Sequence, residues 1–206
     1  MNLKISFAVT ACDESFELNR LLTLLHENKR DCDEIVVLLD ETNCTDETIQ
    51  VAESFNIAIN KFPLNNDFAK FKNHLNTLCS GDYIFQIDAD EMPSIETISN
   101  LHSLIESNLD VDLFLVPRIN IVEGLTKGHI KKWNWHLNEK NWINWPDFQH
   151  RIFKNRFHIK WRNPVHEQIT GAQVGVKLPA TTEYALMHNK TIQKQEKQNA
   201  LYDKIV

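Results

Sequence analysis

The chain has 206 residues, of which 42% are hydrophobic and 24% charged, with a formal net charge of −6. That length suits one domain with a sizeable core and hardly two, and the composition is ordinary for a soluble globular protein. The acidic balance argues against a nucleic-acid binder, which needs a basic face, and no apolar run approaches the roughly 20 residues of a membrane helix.

The N-terminal "KISFAVTAC" is too short an apolar run for a signal peptide and lacks a basic leader. It reads as a strand, after which Asp13 is placed to cap a helix with Leu18, Leu21, Leu22 and Leu25 on one face. "EIVVLL", residues 34–39, is a continuous β-branched and apolar run, the pattern of a strand buried on both faces of a parallel sheet. "TDET", residues 45–48, opens a second helix carrying Ile49, Ala52 and Phe55, and "IAINKF" reads as a third strand. "DFAKFKNHLNTLCSG" follows as a helix with Phe68, Phe71, Leu75 and Leu78 inward and Gly81 as its stop.

"GDYIFQIDADEMPS", residues 81–94, holds a fourth strand, Tyr83 to Ile87, that runs into Asp88, Asp90 and Glu91. Pro93 and Ser94 then start a helix through Ile95, Ile98, Leu101 and Ile105, and "DLFLVP" is a fifth strand. Strict strand–helix alternation over residues 1–117 predicts an open α/β sheet, in which ligands sit beyond the carboxyl ends of the strands. Beyond residue 117 the regularity breaks. Residues 120–148 show no clear period, "HRIFKN" and "FHIKW" read as short strands of a second, mixed sheet, and a helix from about Thr191 to Ile205 closes the chain.

Gly is scarce, at five residues, and neither a G-x-G-x-x-G nor a P-loop pattern occurs, which disfavours dinucleotide-binding Rossmann and P-loop enzymes. Cys12, Cys32, Cys44 and Cys79 show no C-x-x-C spacing, so reduced thiols and a cytoplasmic location are expected rather than disulfides or a zinc site.

Carboxylates at i and i+2 of an extended segment point to one side, about 5–7 Å apart, and repel unless a cation lies between them. Asp88 and Asp90 therefore look like half of a site for a hard divalent ion, with a substrate supplying further oxygens. The competing role is a solvated turn, or acids ahead of the helix that opens at Ser94.

In this context the chain resembles the family-2 glycosyltransferases of GT-A fold, notably small bacterial or viral enzymes that build surface glycans. Four stretches carry the resemblance, in order: "AVTACDES", "EIVVLLDETNCTDET", "NDFAKFKNHLNTLCSGDYIFQIDADE" and "HRIFKNRFHIKWRNPVHEQI". Together they span most of residues 3–190, and the third is the most specific. The resemblance implies one GT-A domain over residues 1–206. Its central sheet is mostly parallel and flanked by helices, with a smaller mixed sheet on the acceptor side. Residues 1–117 form the nucleotide-sugar half and residues 118–206 the acceptor half.

The implied activity is inverting transfer of a sugar from a nucleotide diphosphate sugar to a hydroxyl of a glycan or glycoconjugate, with Mn2+ or Mg2+ as cofactor. By the resemblance, Asp90 binds the ion, Asp88 lies beside it or on the ribose, and His188 in "LMHNK" is a further ligand, with His166 a weaker one. Asp40 accepts a hydrogen bond from the uracil ring, which points to a UDP-sugar, since an acid accepts but does not donate. Thr10, Glu14, Lys72 and Ala89 complete the nucleotide-sugar set. The loop "DETNCTD" departs from the family in lacking a glycine and running one residue longer.

Glu167, in "VHE", is the first choice for the base and Asp147 the reserve; the other role open to Glu167 is a salt bridge to Arg151 or Arg162. Trp133, Trp135, Trp142 and Trp145 form either an acceptor surface or a satellite core under a long loop. A lipid-linked acceptor would be met by peripheral membrane contact. Two other classes stay open: a non-catalytic nucleotide-sugar or glycan-binding module, and a nucleotidyltransferase on a related sheet. The latter would need a glycine-rich phosphate loop, and "TACDES" has none.

Overall fold

A computed structural model describes residues 3–205. The first part alternates strand and helix: β1 (Ile5–Ala11), α1 (Ser15–Asn28), β2 (Glu34–Asp40), α2 (Asp46–Ser54), β3 (Ala58–Phe62), α3 (Phe68–Leu78), β4 (Tyr83–Asp88), β5 (Glu91–Met92) and α4 (Ile95–Glu106). The second part is strand-rich: β6 (Leu113–Glu123), α5 (Lys127–Trp133), β7 (Ile143–Lys154), β8 (Lys160–Arg162), β9 (Gln168–Thr170), β10 (Gly175–Lys177), β11 (Leu186–Thr191) and α6 (Ile192–Ile205). Nine strands form one mixed sheet in the order β3-β2-β1-β4-β7-β6-β11-β5, with β10 beside β6, while β8 and β9 pair separately. Within the large sheet, β7 is antiparallel to β4 and β6, and β5 to β11; the remaining pairs are parallel.

Period-two alternation sorts the core into two layers. Phe7, Val9, Val37, Leu39, Phe85 and Ile87 pack with the leucines of α1 and with Ile98 and Leu101 of α4. Ala8, Val36, Leu38 and Ile84 face the other way, onto Ala69, Phe71 and Leu75 of α3 and onto Trp161 and Ile169 of the small sheet. Even-numbered residues of β1, β2 and β4 thus face α3. At the carboxyl ends of those strands the even positions are Thr10, Asp40 and Asp88.

Several local expectations need adjusting. α1 begins at Ser15 with Glu14 in the cap position, and Asp13 does not cap it. α3 stops at Leu78, before Gly81. Gly81 serves close approach instead: a Cβ there would meet the Ser6 nitrogen at 2.6 Å, where β4 starts alongside β1. "HRIFKN" is the end of β7 in the large sheet, because Ile152 and Phe153 are buried on its opposite faces; only "FHIKW" contributes to the small sheet, through β8. Between Phe114↔Ile152 and Leu115↔His150 the β6–β7 register skips Arg151, a bulge that re-aims this side chain. Among the described residues no helix is long and apolar enough to cross a membrane.

Candidate active site

β4 ends at Asp88, Ala89 extends its ladder by donating its N–H to Thr10 O at 2.9 Å, and the chain turns at Asp90 into β5. β5 then pairs with β11, setting His188 opposite Glu91. The three acids therefore do not share a single extended face, and each meets different partners.

Asp88 accepts from the Thr10 hydroxyl at 2.8 Å and from Arg151 Nη2 at 2.8 Å, and Lys72 Nζ lies 3.3 Å away. Burial works to raise this carboxyl, but Lys72 and Arg151 outweigh it and hold Asp88 well below the usual carboxylate range. Glu91 is completely buried, and its Oε1 takes Arg151 Nη2 at 2.6 Å and Arg118 Nη1 at 2.9 Å. Arg118 also grips Asp147 Oδ2 through Nε at 3.0 Å and Nη2 at 2.8 Å. Lys72 reaches Glu167 Oε1 at 3.0 Å and lies 5.0 Å from the centre of the Trp161 ring. The result is one chain of alternating charge: Asp147, Arg118, Glu91, Arg151, Asp88, Lys72, Glu167. Glu167 thus pairs with Lys72 rather than with Arg151 or Arg162.

Asp90 lies on a side branch, with His188 Nε2 and Lys190 Nζ each 3.4 Å from its Oδ2. Burial opposes its charge as well, yet His188 and Lys190 keep it low despite the nearby Asp88. Asp147 is held low against burial by Arg118, Asn120 and Gln149. Glu14 behaves oppositely. Its Oε2 accepts from the Cys12 and Asp13 amides at 2.8 and 3.1 Å, but burial, Asp90 and Asp13 push it up to about 7.

Asp40 is buried at the end of β2, where it closes its own loop. It accepts from Thr42 N at 3.1 Å, Leu64 N at 3.1 Å and Asn43 Nδ2 at 2.7 Å. His166 is exposed, with φ +54° and its ring edge-on to Tyr202, and stands apart from the pairing of His188 with Asp90. Trp133 packs with Trp135 and Trp142 with Trp145, at 4.7 and 5.0 Å between ring centres. The second pair lines an open cavity of about 630 Å3 with Asn138, Lys140 and Thr181.

Asp90 and His188 offer a carboxylate oxygen and an imidazole nitrogen, a donor pair that suits a divalent ion such as manganese. Among the described residues, the one set of three possible ligands already within 4.8 Å of one another is Cys32, Asp33 and His102. Asp33 there also accepts from Ile5 N and Arg30 N, tying the start of β1 to the turn before β2, at the opposite end of the strands.

Arg118, Asn120 and Lys190 were not singled out from the sequence. Their signal is faint: polar residues spaced by two in "RIN" and "HNK", on strands that look too short until their pairing is known. Asn73 was also missed. Its amide donates to Trp161 O at 2.9 Å and accepts from Trp161 N at 3.0 Å, fastening β8 to α3.

The family model described as glycosyl transferase family 2 matches residues 6–167. No curated protein sequence matches the chain. Among solved structures, S. aureus TarS 1-349 aligns with a TM-score of 0.63 at 15% identity, covering all of this chain and 64% of that one. The same fragment in complex with UDP aligns at 0.64 and 15% identity, covering 97% and 64%. Glucosyl-3-phosphoglycerate synthase from Mycobacterium tuberculosis, with Mg2+ and UDP, aligns at 0.48 and 18% identity over 64% of this chain and 47% of that one, too slight a likeness to build on. At such identities the likeness speaks to the fold, and this chain spans less than two thirds of the TarS fragment.

Proposed function

The chain belongs to glycosyl transferase family 2, and from this premise we propose that it transfers a sugar, with inversion, from a nucleotide diphosphate sugar to a hydroxyl of a glycan or glycoconjugate. The observation that carries the reading is the strand-end pair Asp88 and Asp90 with His188 and Lys72 beside it. Transfer requires a neutralised leaving diphosphate, a held donor and a deprotonated acceptor.

In this reading Asp90 and His188 hold Mn2+ or Mg2+, and a bound ion supplies Lewis-acid relief of charge on the diphosphate. Asp88, fixed by Thr10, orients the donor beside the Ala89 backbone. Lys72 and Arg151 add positive charge next to the phosphates. Asp40 and Glu14 line the end where the base sits, and the Asp40 carboxylate, which can only accept, takes the N3–H of a uracil ring. Glu167 takes the acceptor proton. The acceptor lies along Trp142 and Trp145, whose faces suit the apolar faces of sugar rings. Residues 1–117 serve the donor and residues 118–206 the acceptor. The four unpaired cysteines suit a reducing cytoplasm, with peripheral membrane contact where the acceptor is lipid-linked.

The test is UDP affinity by calorimetry with and without manganese. Parent protein should bind UDP more tightly with the ion, and Asp90→Asn should abolish that difference. Unchanged metal-dependent affinity in Asp90→Asn would overturn the assignment. Donor hydrolysis or transfer with manganese present separates an enzyme from a module that only binds nucleotide sugars.

A further inference from the structure

β6 and β11 run parallel with Asn120 beside His188, and β6 and β7 run antiparallel with Arg118 opposite Asp147. These registers build a relay. Asp147 Oδ2 accepts from Asn120 Nδ2 at 2.8 Å, and Asn120 Oδ1 lies 2.7 Å from His188 Nδ1. Asp147 is itself held by Arg118 and by Gln149 Nε2 at 2.7 Å.

The chemistry of each group leaves one arrangement. An ionised carboxylate only accepts, so the amide of Asn120 must turn its NH2 toward Asp147 and its carbonyl toward His188. A carbonyl oxygen also only accepts, so His188 Nδ1 must carry a proton. In neutral imidazole this leaves the lone pair on Nε2, the nitrogen that lies 3.4 Å from Asp90. The opposite tautomer would set two lone pairs against each other at 2.7 Å.

We propose that Asn120 and Asp147 are positioning residues that hold His188 in its Nδ1–H form and thereby present Nε2 to a divalent cation shared with Asp90. The proposal rests on the reading of Asp90 and His188 as a cation site. It also gives Asp147 a task other than taking the acceptor proton, and leaves that role to Glu167. The partner of a ligating histidine sets ring orientation and tautomer, and its loss typically weakens metal affinity about 10–100-fold.

The decisive experiment is nitrogen NMR on histidine-labelled protein in metal-free, alkaline buffer, with His188 identified by its absence in His188→Gln. Manganese affinity in the presence of UDP is measured on the same samples by calorimetry. Parent protein should show Nδ1–H. Asn120→Ala should lose that preference and bind manganese about 10–100-fold more weakly. Asp147→Ala removes the acceptor that fixes the Asn120 NH2, so the Asn120 amide is free to flip and the Nε2–H form should appear. An Nε2–H imidazole in parent protein overturns the proposal. So does Asn120→Ala with unchanged tautomer and unchanged manganese affinity. A parent that shows Nδ1–H but binds no manganese overturns instead the cation reading of Asp90 and His188, and the NMR result tells the two failures apart.

Discussion

Between Ile5 and Glu106 strands alternate with helices, apart from the short β5 ahead of α4, and Asp40 and Asp88 lie where period-two alternation carries them. Between Leu113 and Thr191 the chain instead crosses the sheet in long antiparallel and parallel runs, and delivers the cations Arg118, Arg151 and Lys190, together with His188. Lys72 is the one cation of the alternating-charge chain that the first region supplies. Acids at the end of a buried strand are costly unless paired. The first region therefore carries a charge pattern that the second completes, and strands of both lie in one sheet.

The largest effect expected from cutting between the regions is on chemistry. Glu167 belongs to the second region and is held by Lys72 of the first. Glu167→Gln keeps size and polarity, so UDP affinity and melting temperature should stay near those of the parent while transfer falls by about 10²–10⁴-fold. Near-native turnover would remove Glu167 from the role of base; parallel losses in melting temperature and UDP affinity would make its role structural.

Next comes stability. Glu91 is a first-region acid with two second-region arginines, Arg118 and Arg151, on one oxygen and no access to water. Glu91→Ala leaves the buried Arg151 and the half-buried Arg118 beside a void, and should cost about 3–5 kcal/mol in urea unfolding. A loss of about 1 kcal/mol or less, the scale of an exposed pair, would show that the regions do not depend on this junction.

A smaller effect is expected at Asn73, which joins α3 to β8 through both amide atoms. Asn73→Ala leaves the Trp161 backbone N–H and C=O unpaired and should cost about 1–3 kcal/mol. Amide exchange at Trp161 and Ile169 should quicken while that of β1 and β2 is unchanged. Uniform quickening throughout would mean that the small sheet opens only with the whole molecule.

The same contrast decides what could be read in the sequence. Helix and strand periods are local, so the order of elements through Glu106 was legible except for the two-residue β5, as were the strand-end positions of Asp88 and Asp40. Pairing partners are not local. Nothing near Arg151 announces a bulge, because the bulge exists only against the register of β6. Nothing near His188 announces Asn120, which lies 68 residues earlier. Asp13 and Gly81 misled for a related reason: an acid before a helix and a glycine after one fit capping rules, while the actual demands there are a Glu14 turn and the approach of β4 to Ser6.

The least of the expected effects sharpens the contrast from the acid that the second region leaves without a direct ion pair. Asp88 and Asp90 each have a cation within 3.4 Å and are held low. Burial first, and then the charges of Asp90 and Asp13 against a weaker pull from Lys194, push Glu14 up from 4.5 to about 7. Between those two values the folded protein keeps a proton on Glu14 that the unfolded chain has lost. Stability must therefore fall as pH rises through that window, the reverse of the contribution from an acid held low. Glu14→Gln removes the titrating group but keeps an oxygen that can accept from the Cys12 and Asp13 amides. In chelator-treated samples the variant should match the parent below about pH 4.5 and exceed it by about 1–2 kcal/mol above pH 7, after discounting for partial exposure. Urea unfolding of both proteins at matched pH values gives the difference directly. Parallel stability curves across the window would show that Glu14 is as well solvated or as well paired as the acids with cations beside them.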